Sequence, residues 1–261
     1  MEAAEAPAVA QAHEEKIKRR KIAIIGTAPS SCNLAPYNDP SWEIWVLKMY
    51  QSPRWDVFFE VHEASEGERR WPKEYVEFLR KEHKAGDGGL KPLMTNGKVP
   101  HWPNSQAYPL QQVTKRFGGY FTNQVSYMLA LAIMQHGQEV KGVKQVVEQI
   151  GIWGVDMAQH GIDGRSEYAY QRPSCEYFIG VAVGAGIPVY IPPQSDLLKC
   201  RKLYAFESDD FADKSKARHK ELQQRLQQEQ QKASVAQRNA DHMAGALDNM
   251  TWIMQWNQNG N

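Results

Sequence analysis

The sequence predicts an α/β fold: a mostly parallel sheet flanked by helices, followed by a C-terminal helical tail. Two observations support this. Short apolar runs alternate with longer helical segments as far as about residue 205, and this alternation is typical of parallel sheets covered by helices. From about Ser208, Lys, Gln, Arg and Glu dominate while Gly and Pro almost vanish, which favours a long helix. We therefore expect a flexible arm over 1–20, an α/β domain over 21–205 and a helical tail over 206–261.

The elements of the α/β domain follow from local patterns. Predicted strands are short apolar segments bounded by turn residues. Predicted helices carry apolar residues at three- and four-residue spacing, or are continuous apolar segments of helical length. The strands are predicted at 21–26, 43–48, 55–61, 149–155 and 187–191, the helices at 71–84, 122–135 and 174–185, and a loop at 85–103.

Composition restricts the class of protein. The chain has 31 Lys+Arg and 30 Asp+Glu, a formal net charge of +1, which argues against a globally basic nucleic-acid binder but leaves a local basic patch open. No apolar stretch is long enough for a membrane span, and no signal peptide is expected. Three widely spaced cysteines argue against a disulfide framework. We expect a cytoplasmic protein with no membrane span, and we assign no metal ligands.

The turn after the first predicted strand is a candidate phosphate site. Residues 26–31 read GTAPSS, and a turn of small residues lets a phosphate approach the backbone. The hydroxyls of Thr27, Ser30 and Ser31 could donate to it. The motif is neither GxGxxG nor GxxxxGKS/T, so a tight structural turn is the alternative interpretation.

Two further pairs of polar residues adjoin predicted elements. Glu60 and His62 end the third strand and could orient a hydroxyl or act as a base, or form only a rim hydrogen bond. Thr122 and Asn123 begin a predicted helix and could hold an anion or a base edge, or simply cap the helix.

A fourth candidate group follows the predicted strand at 149–155 in the sequence. Asp156 follows this strand and could accept a hydrogen bond from a ribose hydroxyl. Tyr168 and Tyr170 could contact phosphate oxygens or stack on a base, and Arg172 could pair with a diphosphate. A packed, tyrosine-rich lid is the alternative. Because the carboxyl ends of parallel strands share one edge, we expect all these groups to meet there.

Four blocks of the sequence resemble a Rossmann-like superfamily. Its members include bacterial sialyltransferases that build lipooligosaccharide and archaeal-type hydroxymethylpterin diphosphokinases. The blocks, spanning roughly residues 21–195, are IIGTAPS, YFTNQVSYMLALAI, IGIWGVDMA and EYAY. The chain also resembles unassigned bacteriophage proteins with a helical tail. The resemblance implies a Rossmann-like, nucleotide-binding domain and a nucleotide or nucleotide-sugar as its ligand.

The resemblance also implies roles for individual residues. The sequence departs from the pattern in three places: Thr27 and Ala28 stand where the first block has its Asn or Gly partner, Ala158 replaces a tyrosine, and Gln171 begins the segment where the family has its histidine base. The base would then come from His62 or His160. The resemblance implies that the nucleotide phosphates are lined by Gly26, Pro29 and Ser30. It implies that Thr122 and Asn123 contact the nucleotide or donor. It also implies that Asp156 lies beside the ribose or donor sugar and that Tyr168 donates a hydrogen bond to the leaving phosphate.

Three hypotheses for function follow. The favoured one is a glycosyltransferase-like transferase using a nucleotide-activated donor, with His62, Asp156 and Tyr168 as catalytic candidates. The second is a non-catalytic nucleotide-binding or scaffold protein that oligomerises through its tail. The third is a diphosphokinase in which Mg²⁺ would bridge phosphates and carboxylates, a role that Glu60, Asp156 and Glu167 could serve. The cofactor remains unknown beyond the nucleotide-activated donor that the first hypothesis requires.

The tail carries heptad-like spacing. Its apolar residues follow alternating four- and three-residue steps, interrupted at Glu229, which is typical of a coiled coil. We expect a homo-oligomer formed through this helix; packing on its own domain or binding another protein are the alternatives. The spaced residues are Leu222, Leu226, Ala233, Ala236, Ala240, Met243, Leu247, Met250 and Met254.

Overall fold

A computed structural model describes residues 16–157, 167–200, 203, 204, 206 and 211–258. The chain divides into two units, Met1–Lys199 and Cys200–Asn261. Most of the predicted N-terminal arm, residues 1–15, lies outside the described residues. Among the helices that are described, none is both long enough and apolar enough to cross a membrane.

The first unit is built on an eight-stranded sheet, and the predicted fold class is confirmed. The spatial order is β5-β4-β3-β2-β1-β7-β6, and β8 also pairs with β7. Every pairing is parallel except the antiparallel β6–β7 pair. The strands are β1 (Ile17–Ile25), β2 (Trp42–Leu47), β3 (Val57–Glu60), β4 (Leu93–Thr95), β5 (Ser105–Ala107), β6 (Glu139–Val140), β7 (Val143–Trp153) and β8 (Val189–Tyr190).

Helices cover both faces of the sheet. Successive residues of a strand point to opposite faces; accordingly, Ile22 and Ile24 of β1 enter one core together with residues of α4 and α5. Ala23 and Ile25 enter a second core that includes residues of α2. The helices of this unit are α1 (Ala64–Arg70), α2 (Lys73–Arg80), α3 (Leu110–Phe117), α4 (Gln124–Gln135) and α5 (Glu167–Gly184); the second unit contains α6 (Phe211–Gln258).

Several elements differ from the prediction, and three of these differences change the interpretation of the sequence. β1 begins at Ile17, so Arg20 belongs to the sheet, where it pairs with Glu43 at 2.8 Å, and not to a flexible arm. The predicted loop at 85–103 contains β4, and β5 follows it; with three residues each, these strands leave no periodic signal. α5 begins at Glu167 and continues through Pro173, so the segment predicted as a tyrosine-rich loop is helical.

The sheet reverses its direction of winding beside β1. The chain proceeds outward from β1 through β2 to β5 and then returns to β7 on the other side of β1. Loops that leave the carboxyl ends of two such strands diverge to opposite sides, and ligands of open α/β sheets bind in the crevice between them. The topology therefore places a crevice where the loops after β1 and β7 begin.

Candidate functional site

A cavity of about 650 Å³ occupies this crevice. It is formed by the segments that follow β1, β2, β3 and β7 and by the first turns of α4 and α5. Eight of the predicted site residues line it together: Gly26, Thr27, Pro29, His62, Thr122, Asn123, Asp156 and Tyr168. The other five do not line it: Ser30, Ser31, Glu60, Tyr170 and Arg172.

Two glycines allow the ends of β1 and β7 to approach each other. The Gly26 N–H donates to Trp153 O at 2.8 Å, and the Ala28 N–H donates to Gly154 O at 2.9 Å. A Cβ on Gly26 would lie 2.3 Å from Gly154 O, and one on Gly154 would lie 2.5 Å from Gly26 O. Gly154 also has a φ of +64°, which side chains rarely adopt. This close contact fixes the floor of the cavity.

The two serines join the loops at the cavity instead of facing a ligand. Ser30 Oγ donates to Asp156 Oδ1 at 2.8 Å. Ser31 is buried, and its Oγ accepts from the Gly154 N–H at 2.8 Å. Neither hydroxyl lines the cavity, and both form hydrogen bonds within the protein, so this geometry does not favour the expected phosphate-binding role; Ser30 instead orients the Asp156 carboxylate.

Glu60 lies beneath the cavity and His62 at its wall. Glu60 is fully buried, so it cannot touch a ligand as the sequence suggested. Its Oε1 accepts from the His62 backbone N–H at 3.2 Å and contacts His62 Nδ1. Its Oε2 accepts from the Tyr75 hydroxyl at 2.6 Å. His62, with 54% of its side chain exposed, is the member of this group that lines the cavity.

The start of α4 forms another wall. Asn123 caps the helix, because its Oδ1 accepts from the Ser126 N–H at 2.8 Å. Asn123 Nδ2 and Thr122 Oγ1 both donate to Gln171 O, at 2.8 and 3.3 Å. Their side-chain donors are therefore used to join α4 to α5. What this wall offers a ligand is the positive end of the helix dipole.

Among the cavity-lining residues that sequence reasoning did not assign to the site, two bear on ligand binding. Lys48 directly follows β2 and adopts a left-handed backbone with φ 53°; it is exposed and brings a cation to the site. Gln124 Nε2 donates to Phe59 O at 2.6 Å, which leaves Gln124 Oε1 buried without a partner among the described residues. The position of Lys48 at a strand end was a usable signal; nothing local marked Gln124.

The first turns of α5 separate its predicted site residues. Tyr168 is half exposed and lines the cavity, whereas Tyr170 is 73% exposed and does not. Arg172 is held by Glu176 at 2.8 Å and Asp196 at 3.1 Å. Partial burial opposes its charge, but these carboxylates prevail and raise the pKa of Arg172. Arg172 does not line the cavity and its guanidinium is held by ion pairs, so this geometry does not favour diphosphate binding by Arg172, which stays a prediction.

The three carboxylates proposed for Mg²⁺ do not form one ligand group among the described residues. Both oxygens of Glu60 already accept hydrogen bonds, while Asp156 and Glu167 line the cavity. Across the described part of the chain, no three His, Cys, Asp or Glu side chains form a group suited to a metal. Ala158 and the alternative base His160 lie outside the described residues.

Comparison with known proteins finds only distant structural similarity. No model of a known protein family matches the chain, and no curated protein matches it significantly. The sialyltransferase CstII from Campylobacter jejuni, solved in complex with a substrate analogue, CMP-3FNeuAc, is 14% identical with a TM-score of 0.41, over 66% of this chain and 79% of that chain. A mutant of the α-2,3/8-sialyltransferase CstII is 14% identical with a TM-score of 0.39, over 66% and 81%. Likeness at this level assigns no function, which must be inferred from the cavity itself.

Proposed function

We propose that this protein is a transferase that binds a nucleotide-activated donor, and that the group it transfers is a glycosyl group. The observation that carries the proposal is the cavity at the β1–β7 crevice. A lysine side chain, the N-terminus of a helix, a positioned carboxylate and an imidazole all line this one cavity. Its volume of about 650 Å³ lies within the range of small-molecule sites. The sequence blocks that resemble nucleotide-sugar enzymes contribute most of its lining.

We propose that the donor phosphates bind beside the groups of the cavity that favour an anion. Lys48, the Thr27 hydroxyl and the first turn of α4 line it. A lysine ammonium and the positive end of a helix both favour an anion. These groups replace the serines and Arg172 in the phosphate-binding role that the sequence predicted.

We propose that the hydroxyls of the sugar or ribose bind to two hydrogen-bond acceptors, Asp156 and Gln124. Asp156 is oriented by Ser30 and lines the cavity. Gln124 also lines the cavity, and its buried Oε1 has no hydrogen-bond partner among the described residues, so a donor that reached this oxygen would offset the cost of its burial. A ligand rich in hydroxyl or amino donors satisfies both.

The remaining groups fit glycosyl transfer. The acceptor hydroxyl attacks the anomeric carbon and loses its proton to His62, the new C–O bond forms, and the bond from that carbon to the donor phosphate breaks. The departing phosphate keeps the electron pair, and Tyr168 and Lys48 stabilise its charge. A positioned base typically contributes about 10²–10⁴-fold to such a step.

A thermal-shift screen tests the proposal. The full chain is heated with UDP, CMP, GDP, ATP and the corresponding nucleotide sugars, with and without Mg²⁺. A ligand at 100 times its dissociation constant adds about 2.7 kcal/mol of stability. Stabilisation by one nucleoside mono- or diphosphate and its sugar supports the proposal. Stabilisation only by ATP with Mg²⁺ would instead favour a diphosphokinase, and no response would leave a scaffold protein as the better account.

We also propose that α6 joins copies of this chain as a parallel coiled coil. Within α6, the exposed fractions of Met243, Leu247, Met250 and Met254 lie between 55% and 74%, and burying each such side chain contributes about 1.5–3 kcal/mol. The apolar residues concentrate in the C-terminal half of the helix. In a full-length antiparallel pair, this apolar half would contact the polar first half of the partner helix. In a parallel pair the two apolar halves contact each other, so we favour parallel pairing.

Light scattering on point variants tests the coiled coil. The unmodified chain is expected to be a dimer or larger, and Leu247→Lys to be a monomer. Asn249→Lys, two residues away and outside the heptad-like positions, is the matched control and should keep the oligomer. A monomeric unmodified chain, or equal masses for all three proteins, contradicts the proposal.

A further inference from the structure

We propose that Glu60 and Tyr75 are positioning residues that hold His62 in the tautomer with its proton on Nδ1, so that Nε2 is left free to take a proton in the cavity. The proton transfer rests on the transferase function proposed above. The tautomer does not, because it follows from contacts within the protein. Neither Tyr75 nor a positioning role for Glu60 was expected from the sequence.

The group is built from two rigid elements. Glu60 is the last residue of β3 and is fully buried. Tyr75 lies on α2 and is 4% exposed; its ring packs against Trp71 and Tyr50 at centroid distances of 5.4 Å. The Tyr75 hydroxyl donates to Glu60 Oε2 at 2.6 Å. The carboxylate therefore has one orientation, with Oε1 directed at His62.

The chemistry of the carboxylate sets the tautomer. An ionised carboxylate only accepts hydrogen bonds, so the ring nitrogen in contact with it must be the donor. Oε1 contacts Nδ1 and also accepts from the His62 backbone N–H. Burial, reinforced by the charge of Glu60, raises the pKa of Tyr75, so its hydroxyl stays a donor. Nε2 is then the nitrogen that carries the lone pair, on a side chain that lines the cavity.

A second histidine–glutamate pair in the same chain has the opposite geometry. His101 meets Glu68 Oε1 through Nε2, at 2.8 Å. The two imidazoles are almost equally exposed, 54% for His62 and 52% for His101, but His101 does not line the cavity. The same reasoning gives His101 its proton on Nε2. It is therefore an internal control for the effect of a carboxylate on an exposed ring.

Nitrogen NMR of the full chain, ¹⁵N-labelled at histidine and without ligand, tests the tautomer. Spectra are taken at a pH above the titration of both rings, and His62→Gln and His101→Gln identify the two signals. We expect a pyrrole-type Nδ1 and a pyridine-type Nε2 for His62, and the reverse for His101. Glu60→Gln should shift His62 toward a mixture of tautomers. A mixture in the unmodified chain, or a His62 protonated on Nε2, overturns the proposal.

Further variants separate positioning from folding and from ligand binding. Tyr75→Phe retains the buried ring and removes only the hydrogen bond, so it should fold and show a smaller shift of the His62 tautomer in the same direction. With a donor and acceptor in hand, Glu60→Gln should lower turnover about 10²-fold or more, with an unchanged dissociation constant for the donor. Loss of donor binding with unchanged turnover would contradict a positioning role. Failure of every nucleotide to bind, with the predicted tautomer observed, would reject only the transferase function.

Discussion

Ser30 Oγ donates to Asp156 Oδ1 over 2.8 Å and so links the loop after β1 to the loop after β7. The two residues are 126 positions apart in the chain. Their contact exists because β1 and β7 are parallel neighbours that end at the same edge. The hydroxyl directs the carboxylate, and the carboxylate is the group that lines the cavity.

Removing this hydroxyl should weaken ligand binding without unfolding the protein. In Ser30→Ala, Asp156 loses the donor that orients it, and hydrogen bonds to charged groups contribute about 1.5–3 kcal/mol. We expect the dissociation constant of the bound nucleotide sugar to rise about tenfold, measured by isothermal titration calorimetry. Unchanged affinity would mean that Asp156 does not contact the ligand.

The Gly26–Gly154 contact should tolerate no side chain. Gly154→Ala places a Cβ 2.5 Å from Gly26 O at a φ of +64°, so we expect a loss of more than about 2 kcal/mol in the free energy of unfolding. Gly180→Ala is the matched control, because its Cβ would enter open space within α5. It should stabilise by about 0.5–1 kcal/mol. Equal losses in a denaturant titration would show that the contact is not tight.

Arg172 should matter for stability and not for nucleotide affinity. Arg172→Ala removes ion pairs to Glu176 and Asp196 from a side chain that is 15% exposed. We expect a lower melting temperature and, below that temperature, an unchanged dissociation constant for the nucleotide. A loss of nucleotide affinity without a lower melting temperature would instead show that Arg172 contributes to nucleotide binding.

Glu68 should make the stability of the protein depend on pH below neutrality. Partial burial opposes its charge, but hydrogen bonds from Arg80, His101 and Trp102 outweigh burial and lower its pKa from 4.5 to about 2. The unfolded chain then binds this proton more readily, so the contribution of Glu68 is present above about pH 4.5 and is lost as the pH falls toward 2.

Melting temperatures across this pH range check the effect. The difference between the unmodified chain and Glu68→Gln should shrink steadily as the pH falls from 5 toward 2.5. Glu66→Gln, on the same helix in an exposed i,i+4 pair with Arg70, is the control and should follow the unmodified chain. A constant difference between Glu68→Gln and the unmodified chain would contradict the ion-pair account.

The predictable part of the fold was carried by strong local patterns. β1, β2, β3, β7 and α4 each contain a run of mostly apolar residues, and the order of these runs along the chain was enough to predict a parallel sheet. β4 and β5 are stabilised by pairing to an existing sheet edge and leave no pattern of their own. The start of α5 was missed because Pro173 favours a break, whereas the helix continues through it.

The candidate site was predictable where it depends on topology. Asp156, His62 and Thr27 follow strands that end at one edge, so their meeting was expected. The direction of a helical side chain was not: Tyr168 and Tyr170 are two residues apart on α5, and only the first lines the cavity. The ion pairs of Arg172 and the burial of Glu60 depend on contacts with distant segments that no local pattern contains.

Isothermal titration of the most stabilising nucleotide into the full chain tests the central claim most directly. The comparison is between the unmodified protein, Lys48→Ala in the cavity, and Lys73→Ala, an exposed lysine of α2. We predict one binding site per chain, a dissociation constant at least about tenfold higher for Lys48→Ala, in line with the loss of a charge-assisted contact, and no change for Lys73→Ala. Equal affinities in all three proteins, or no heat of binding with any nucleotide, would contradict a nucleotide-activated donor at the β1–β7 crevice.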